Sequence, residues 1–182
     1  PLKETFNTDN PIQLYAATKK SNEVMATSYS YLYKMNTIGL RFFTVYGPWG
    51  RPDMALFKFT KNILEGKSID VFNNGKHVRD FTYVDDIAEG ISKIIFNKKK
   101  IIGSKVFNIG NGKKIELLKY IQLIEKYLNK KAKKRFLPLQ KGDVIKTHSD
   151  TTLLKKDYHY YPKTEVTYGV KKFIEWYISY FK

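Results

Sequence analysis

Tyr15 and Lys19, in the stretch NPIQLYAATKKSNEVMA (10–26), are a phenol and an ammonium four residues apart. On a helix that spacing puts both on one face. The ammonium then favours the phenolate of a group that ionises near ~10 unaided, giving a tyrosine able to take up a proton at neutral pH. In a chain with 14 tyrosines and many lysines such pairs also arise by chance, so spacing alone leaves a structural role open. The arginines are the second chemistry-bearing set. Among 33 basic residues only Arg41, Arg51, Arg79 and Arg135 are arginines. Their planar fork suits carboxylate or phosphate in a way lysine cannot imitate, which marks them as candidate ligand residues. His77, His148 and His159 are scattered without metal-ligand spacing, and no metal is expected. Asp85 and Asp86 open a helical pattern, where carboxylates suit free backbone amides.

These groups must be held by a fold, and the hydrophobic pattern says which kind. Residues 1–11 read as a loop, followed by a helix with Tyr15, Thr18, Asn22, Met25 and Tyr29 at helical spacings. TIGLRFFTVYG (37–47) is apolar, β-branched and aromatic, and stops at Gly47-Pro48. That is the pattern of a buried parallel strand presenting residues at its C-terminal end, with Phe42 and Phe43 in the core. Asp53 is placed to cap a helix reaching about Glu65, which Gly66 ends. Asn74-Gly75 between apolar segments predicts a tight hairpin. A helix over TYVDDIAEGISKIIF, a short strand in KVFNIGNG and amphipathic helices over 114–129 and the C-terminal TEVTYGVKKFIEWYISYFK complete the series. Helix, strand, helix, hairpin, helix, strand, helix, loop, helix makes the class α/β.

Composition bounds the rest. A chain of 182 residues with 42% apolar content can bury a sizeable core. It has no cysteine, and it shows neither a signal-peptide pattern nor an apolar run of membrane-spanning length, so a soluble, cytoplasmic protein is expected. The net charge of +16 is almost all lysine, in runs such as 98–100 and KKAKK (130–134). Such runs read first as solvated surface, with nucleic-acid binding through lysines interleaved with tyrosines as the lesser reading.

Three ordered segments carry a resemblance: YAATKKSNEVMA, LRFFTVYGPWGRPDMALFKFTKNILEGKSIDVFNNGKHVRDFTYVDDI and VFNIGNG. They are similar to consecutive segments of the extended short-chain dehydrogenase/reductases, and more narrowly to bacterial nucleotide-sugar epimerases of the UDP-glucuronate 4-epimerase type. The similarity continues through PLQKGDV and YYPKTEVTYGVKKFIEWY. It implies the C-terminal part of a Rossmann-like, NAD(P)-binding fold. Residues 1–50 would hold a remaining core helix and strand with the YxxxK motif, and 51–182 would mainly bind the UDP-sugar, with a core strand near 105–109.

Residue by residue, the resemblance makes Tyr15 the catalytic base and acid at the sugar C4 hydroxyl, with hydride passing to NAD. Lys19 would hold the nicotinamide ribose and favour the ionised tyrosine. The resemblance also places the Phe42 segment beside the nicotinamide. Thr44 and Arg51 would receive the C6 carboxylate of a uronic acid, Arg79 the UDP diphosphate, and Asp143 the nucleotide ribose. The implied reaction is inversion at C4 of a UDP-sugar, UDP-glucuronate to UDP-galacturonate for surface polysaccharide, with a neutral or N-acetylated UDP-sugar as the nearest alternative.

The family's glycine-rich G-x-x-G-x-x-G turn and the Ser/Thr upstream of its tyrosine have no counterpart in this sequence. GNGKK (110–114) follows a late strand and lacks the third glycine. The NAD site is therefore expected to be incomplete, and the chain alone to be inactive, as a fragment, half of a split enzyme or a remnant. Its uncovered helix and strand are expected to pair with a second copy, as in a homodimer, or with a separate N-terminal half.

Overall fold

The computed structural model describes residues 1–97 and 101–181, so the lysine run 98–100 lies outside the described residues. The chain runs through α1 (Leu14–Tyr33), β1 (Thr37–Phe42), β2 (Thr44–Tyr46), α2 (Ala55–Leu64), β3 (Ser68–Val71) and a 3-10 turn (Phe72–Gly75). Next come β4 (Val78–Arg79), β5 (Phe81–Tyr83), α3 (Val84–Ile95), β6 (Ser104–Ile109) and β7 (Ile115–Glu116). The last elements are α4 (Leu117–Leu128), β8 (Lys133–Phe136), α5 (Thr152–Tyr158) and α6 (Val166–Phe181). Helices and mostly parallel strand pairs make this an α/β fold. β1 pairs with β6, β2 with β5 and β3 with β8, all parallel, and only β4 with β7 is antiparallel.

Two apolar clusters hold these pairs. In one, the buried faces of α2, α4 and α6 close over β3 and β5, and Phe81 stacks on Tyr120 with ring centroids 3.9 Å apart. In the other, Ile87 of α3 and Leu154 of α5 pack on Phe107 and Ile109 of β6. A buried carboxylate ties the connecting loops together. Asp80 accepts hydrogen bonds from the amides of Asn111 (2.9 Å), Gly112 (3.0 Å) and Ser149 (2.9 Å), and from the Ser149 hydroxyl. Buried Asp86 serves the approach to α6 in the same way, accepting from the amides of Lys163 and Thr164, rather than capping its own helix.

α1 is the exception to burial. Its inward residues are small or polar: Ala16, Lys20, Glu23, Ala26 and Ser30, of which only Ser30 is buried. Arg41 of β1 reaches across to Glu23 in a bidentate pair at 2.6 and 2.8 Å. The stripe of Thr18, Asn22, Met25 and Tyr29 therefore lies exposed.

Four local expectations are corrected. The apolar run 37–46 is two strands broken at Phe43, and Phe42 is 52% exposed rather than core. Asp53 makes no cap, because α2 starts after Met54 and the Asp53 carboxylate is bonded to Arg51. The Asn74-Gly75 hairpin is replaced by a 3-10 turn in which both Asn73 and Asn74 are left-handed, after which β3 and β4 find separate partners. The stretch between the helices of 114–129 and 166–181 is not all loop, since it contains β8 and α5. Among the described residues no helix is long and apolar enough to cross a membrane, and no group of three or more His, Cys, Asp or Glu could hold a metal.

Candidate active site

The break at Phe43 creates the site. The Phe43 amide still donates to the Ile109 carbonyl of β6 (3.2 Å), whereas the Thr44 amide donates to Asp80 (3.1 Å), so the backbone leaves β6 for β5 within one residue. The C-terminal ends of two parallel pairs thus diverge, which is where α/β folds place ligands. A cavity of about 830 Å³ occupies the gap, lined by Tyr15, Phe42, Thr44, Trp49, Arg51 and Asn108 among others. That is within the ~300–1,000 Å³ of ordinary ligand sites.

The segment before α1 forms a wall of this cavity through Leu2 and Phe6. It is fixed by the Leu2 amide donating to His148 (2.7 Å), the Asp150 amide donating to Leu2 (3.0 Å) and the Asn108 side-chain amide donating to the Leu2 carbonyl (2.8 Å). Gln13 fixes the start of α1, its amide donating to the Gly142 carbonyl at 2.6 Å. Tyr15 follows, 67% exposed, and borders both this cavity and a second of about 550 Å³. Lys19 lines only the second, with its ammonium 5.2 Å from the centroid of the Tyr15 ring, a cation–π distance.

The loop after β2 lines the same cavity. Trp49 sits in the left-handed region (φ 62°), sparsely populated for a bulky side chain, with its ring against Trp176 (5.2 Å) and Tyr180 (5.0 Å) of α6. Arg51 extends from this loop, exposed, with Nε 3.0 Å from Asp53 Oδ1 and Nη2 bonded to Oδ2. That bonding holds the Asp53 carboxyl below its ordinary range and raises the guanidinium, to which the phenol of Tyr15 adds a smaller contribution.

Arg79 and Asp143 are joined to each other and line neither cavity. Arg79 Nη2 donates to Asp143 Oδ1 at 3.0 Å and Nη1 to the Ile145 carbonyl at 3.1 Å. Burial pulls the Arg79 guanidinium down from its usual range, opposed by Asp143. Buried His77 brings Nε2 to 3.0 Å from the other Asp143 oxygen, without hydrogen-bond geometry. Arg41 and Arg135, equally conspicuous in the sequence, are absorbed by Glu23 and by Asp70 across the β3–β8 pair. Asn108, Trp49 and Asp80 were not legible as site-building residues, although a carboxylate inside the apolar run VRDFTYV was a signal for the last.

Residues 1–110 match the NAD dependent epimerase/dehydratase family. The chain belongs to that family. It is 53% identical over 179 residues to MJ1055 of Methanocaldococcus jannaschii, covering 98% of this chain and 54% of that protein. It is 48% identical over 197 residues to CapI of Staphylococcus aureus, covering 100% of this chain and 59% of CapI. The UDP-glucuronic acid 4-epimerase of Bacillus cereus, solved with UDP-glucuronic acid and NAD, superposes with a TM-score of 0.92 at 33% identity, over 98% of this chain and 56% of that one. The chain thus spans little more than half the length of these relatives and corresponds to their C-terminal part.

The family's NAD can be tested against the residues in place. The residues that the resemblance assigns to the nicotinamide end are compatible with it: Tyr15 borders both cavities, exposed Phe42 the first and Lys19 the second. At the pyrophosphate end the residues do not fit. The glycine pair of GNG offers the amides of Asn111 and Gly112, and both already donate to Asp80. Among the described residues there is no other glycine-rich strand-to-helix turn to cradle a phosphate.

Proposed function

We propose that this chain carries the catalytic tyrosine and the substrate-binding part of an NAD-dependent UDP-sugar 4-epimerase, and that its preferred pair is UDP-glucuronate and UDP-galacturonate. The observation that carries this reading is that Tyr15, Thr44 and Arg51 line one cavity of about 830 Å³. A base and a carboxylate receptor in one cavity suit a sugar with a reactive hydroxyl and an acidic arm.

In this reading Tyr15 takes the C4 hydroxyl proton and later returns it, and Lys19, its ammonium 5.2 Å from the centre of the Tyr15 ring, holds the nicotinamide ribose. NAD, when bound, supplies a hydride acceptor and donor. Thr44 donates its hydroxyl and Arg51 its fork to the C6 carboxylate, while Arg79 turns to the diphosphate and Asp143 to the ribose. Because the Asn111 and Gly112 amides are already engaged by Asp80, the chain by itself is proposed not to turn substrate over. Its product would serve as a galacturonate donor for surface polysaccharide. The outward stripe of α1 and the second edge of β1 are proposed to be covered by another copy or by an N-terminal half.

The test is calorimetric titration with UDP-glucuronate and UDP-glucose near physiological salt, for wild type, Thr44→Asn and Arg51→Ala. Both variants are expected to lose uronate affinity at least ~10-fold more than neutral-sugar affinity, in keeping with a lost charge-assisted bond. Equal losses for the two sugars would remove the carboxylate assignment.

A further inference from the structure

Arg51 does not stand with a free fork. Its Nε and Nη2 face both oxygens of Asp53, at 3.0 and 2.5 Å. That is the side-on bidentate arrangement in which arginine takes a carboxylate. The two residues are separated only by Pro52, whose ring fixes the backbone φ between them. Both side chains are exposed, 74% and 55%, so the pair is held weakly enough to exchange. Any acidic ligand reaching Arg51 must therefore either replace Asp53 on that edge or share the guanidinium with a like charge beside it. A neutral sugar meets neither obstacle.

We propose that Asp53 is a specificity-determining residue. It is an internal carboxylate that occupies the Arg51 fork and competes with the sugar carboxylate for it, so that affinity for the acidic substrate is set by an exchange of anions. The inference rests on the carboxylate role of Arg51 given above. It adds that the receptor is held closed by its own chain until substrate enters. Asp53 approaches no other charged partner than Arg51 at ion-pair distance among the described residues, which isolates the competition to one contact.

Asp53→Asn keeps size and polarity while removing the competing charge. In calorimetric titrations of the full chain, this variant is expected to bind UDP-glucuronate about five-fold more tightly than wild type, the scale of an exposed ion pair. UDP-glucose affinity is expected to stay unchanged. Unchanged or weaker uronate binding in Asp53→Asn would overturn the proposal, since Asp53 would then be idle or would be orienting Arg51. Arg51→Ala separates the two levels. Loss of uronate preference there, without tightening in Asp53→Asn, sinks the competition alone, whereas no effect in either variant sinks the carboxylate role as well. A second readout follows the Arg51 side-chain N–H signals by NMR during addition of free glucuronate. They are expected to shift at lower concentration in Asp53→Asn than in wild type, and the same midpoint in both, or no shift in either, would also overturn the proposal.

Discussion

Replacing Asp80 tests how the loops around the site are held. Its carboxylate is wholly buried and receives three backbone amides and two hydroxyls, that of Thr82 at a long 3.5 Å. In Asp80→Asn the new NH2 must replace one oxygen. At Oδ2 it would confront the Gly112 and Ser149 donors, so it is expected at Oδ1, where it confronts the Asn111 amide while the Thr82 hydroxyl, 3.5 Å away, can turn to accept. One buried donor is then left without an acceptor, at about 1–3 kcal/mol, and the remaining bonds fall from charge-assisted to neutral strength. Relief of the buried charge offsets part of this, leaving a net loss of about 2–4 kcal/mol. Asp80→Ala strands all five donors and is expected to exceed ~4 kcal/mol, against a total of only ~5–15 for an ordinary domain. Urea unfolding followed by circular dichroism measures both, with Ser149→Ala as a control that removes only the hydroxyl. An Asp80→Asn protein within ~0.5 kcal/mol of wild type would refute the reasoning.

Glu23 gives a pH dependence. Its bond to Arg41 depresses the carboxyl below the ordinary 4.5, so the stabilisation is present above that value and is lost as pH falls through the folded one. The gap in melting temperature between wild type and Glu23→Gln, open at neutral pH, is expected to narrow as pH falls below 4.5; a constant gap counts against the pair. Gly90→Ala would put a methyl group 2.8 Å from Ile109 Cδ1 and 2.9 Å from the Tyr160 ring, and is expected to cost about 1–3 kcal/mol in denaturant unfolding, although Ala is the better helix former. Tyr46→Phe removes a buried hydroxyl that has no hydrogen-bond partner, and is expected to leave stability unchanged or raise it by up to ~1 kcal/mol; a clear loss would mean that a bridging water satisfies the hydroxyl.

What the sequence revealed follows from the range of the forces involved. The helices at α1, α3, α4 and α6 were legible because their patterns are local, and Gly47-Pro48 marked the end of the strand for the same reason. Apart from Asp53, taken by Arg51 two residues away, the failures involve a partner distant in the chain. Asn74-Gly75 carries hairpin chemistry, but β3 is drawn instead to β8, and that strand was concealed because KKAKK looks solvated. In the fold Lys134 bonds to buried Glu125, and Arg135 meets Asp70 across the pair. Phe42 looked like core because it lies in an apolar run, yet the change of partner at Phe43 turns it outward into the cavity. Arginine scarcity pointed equally to all four positions and could not tell Arg51 from Arg41, whose partner Glu23 lies on another element.

The bonds from Leu2 to the region of Ser149 carry a consequence in time. A ribosome adding ~5–20 residues per second needs on the order of ten seconds to reach Ser149 after making Leu2. Until then Leu2 has only Asn108 to hold its carbonyl, and β1, whose partner begins at Ser104, also waits. α1 can wind early because its contacts are local, so Tyr15 and Lys19 meet long before they have a chamber to work in. The wall of the cavity is thus among the last parts of the molecule to be built, and a chain halted short of Ser149 would display Tyr15 and Lys19 on an open surface.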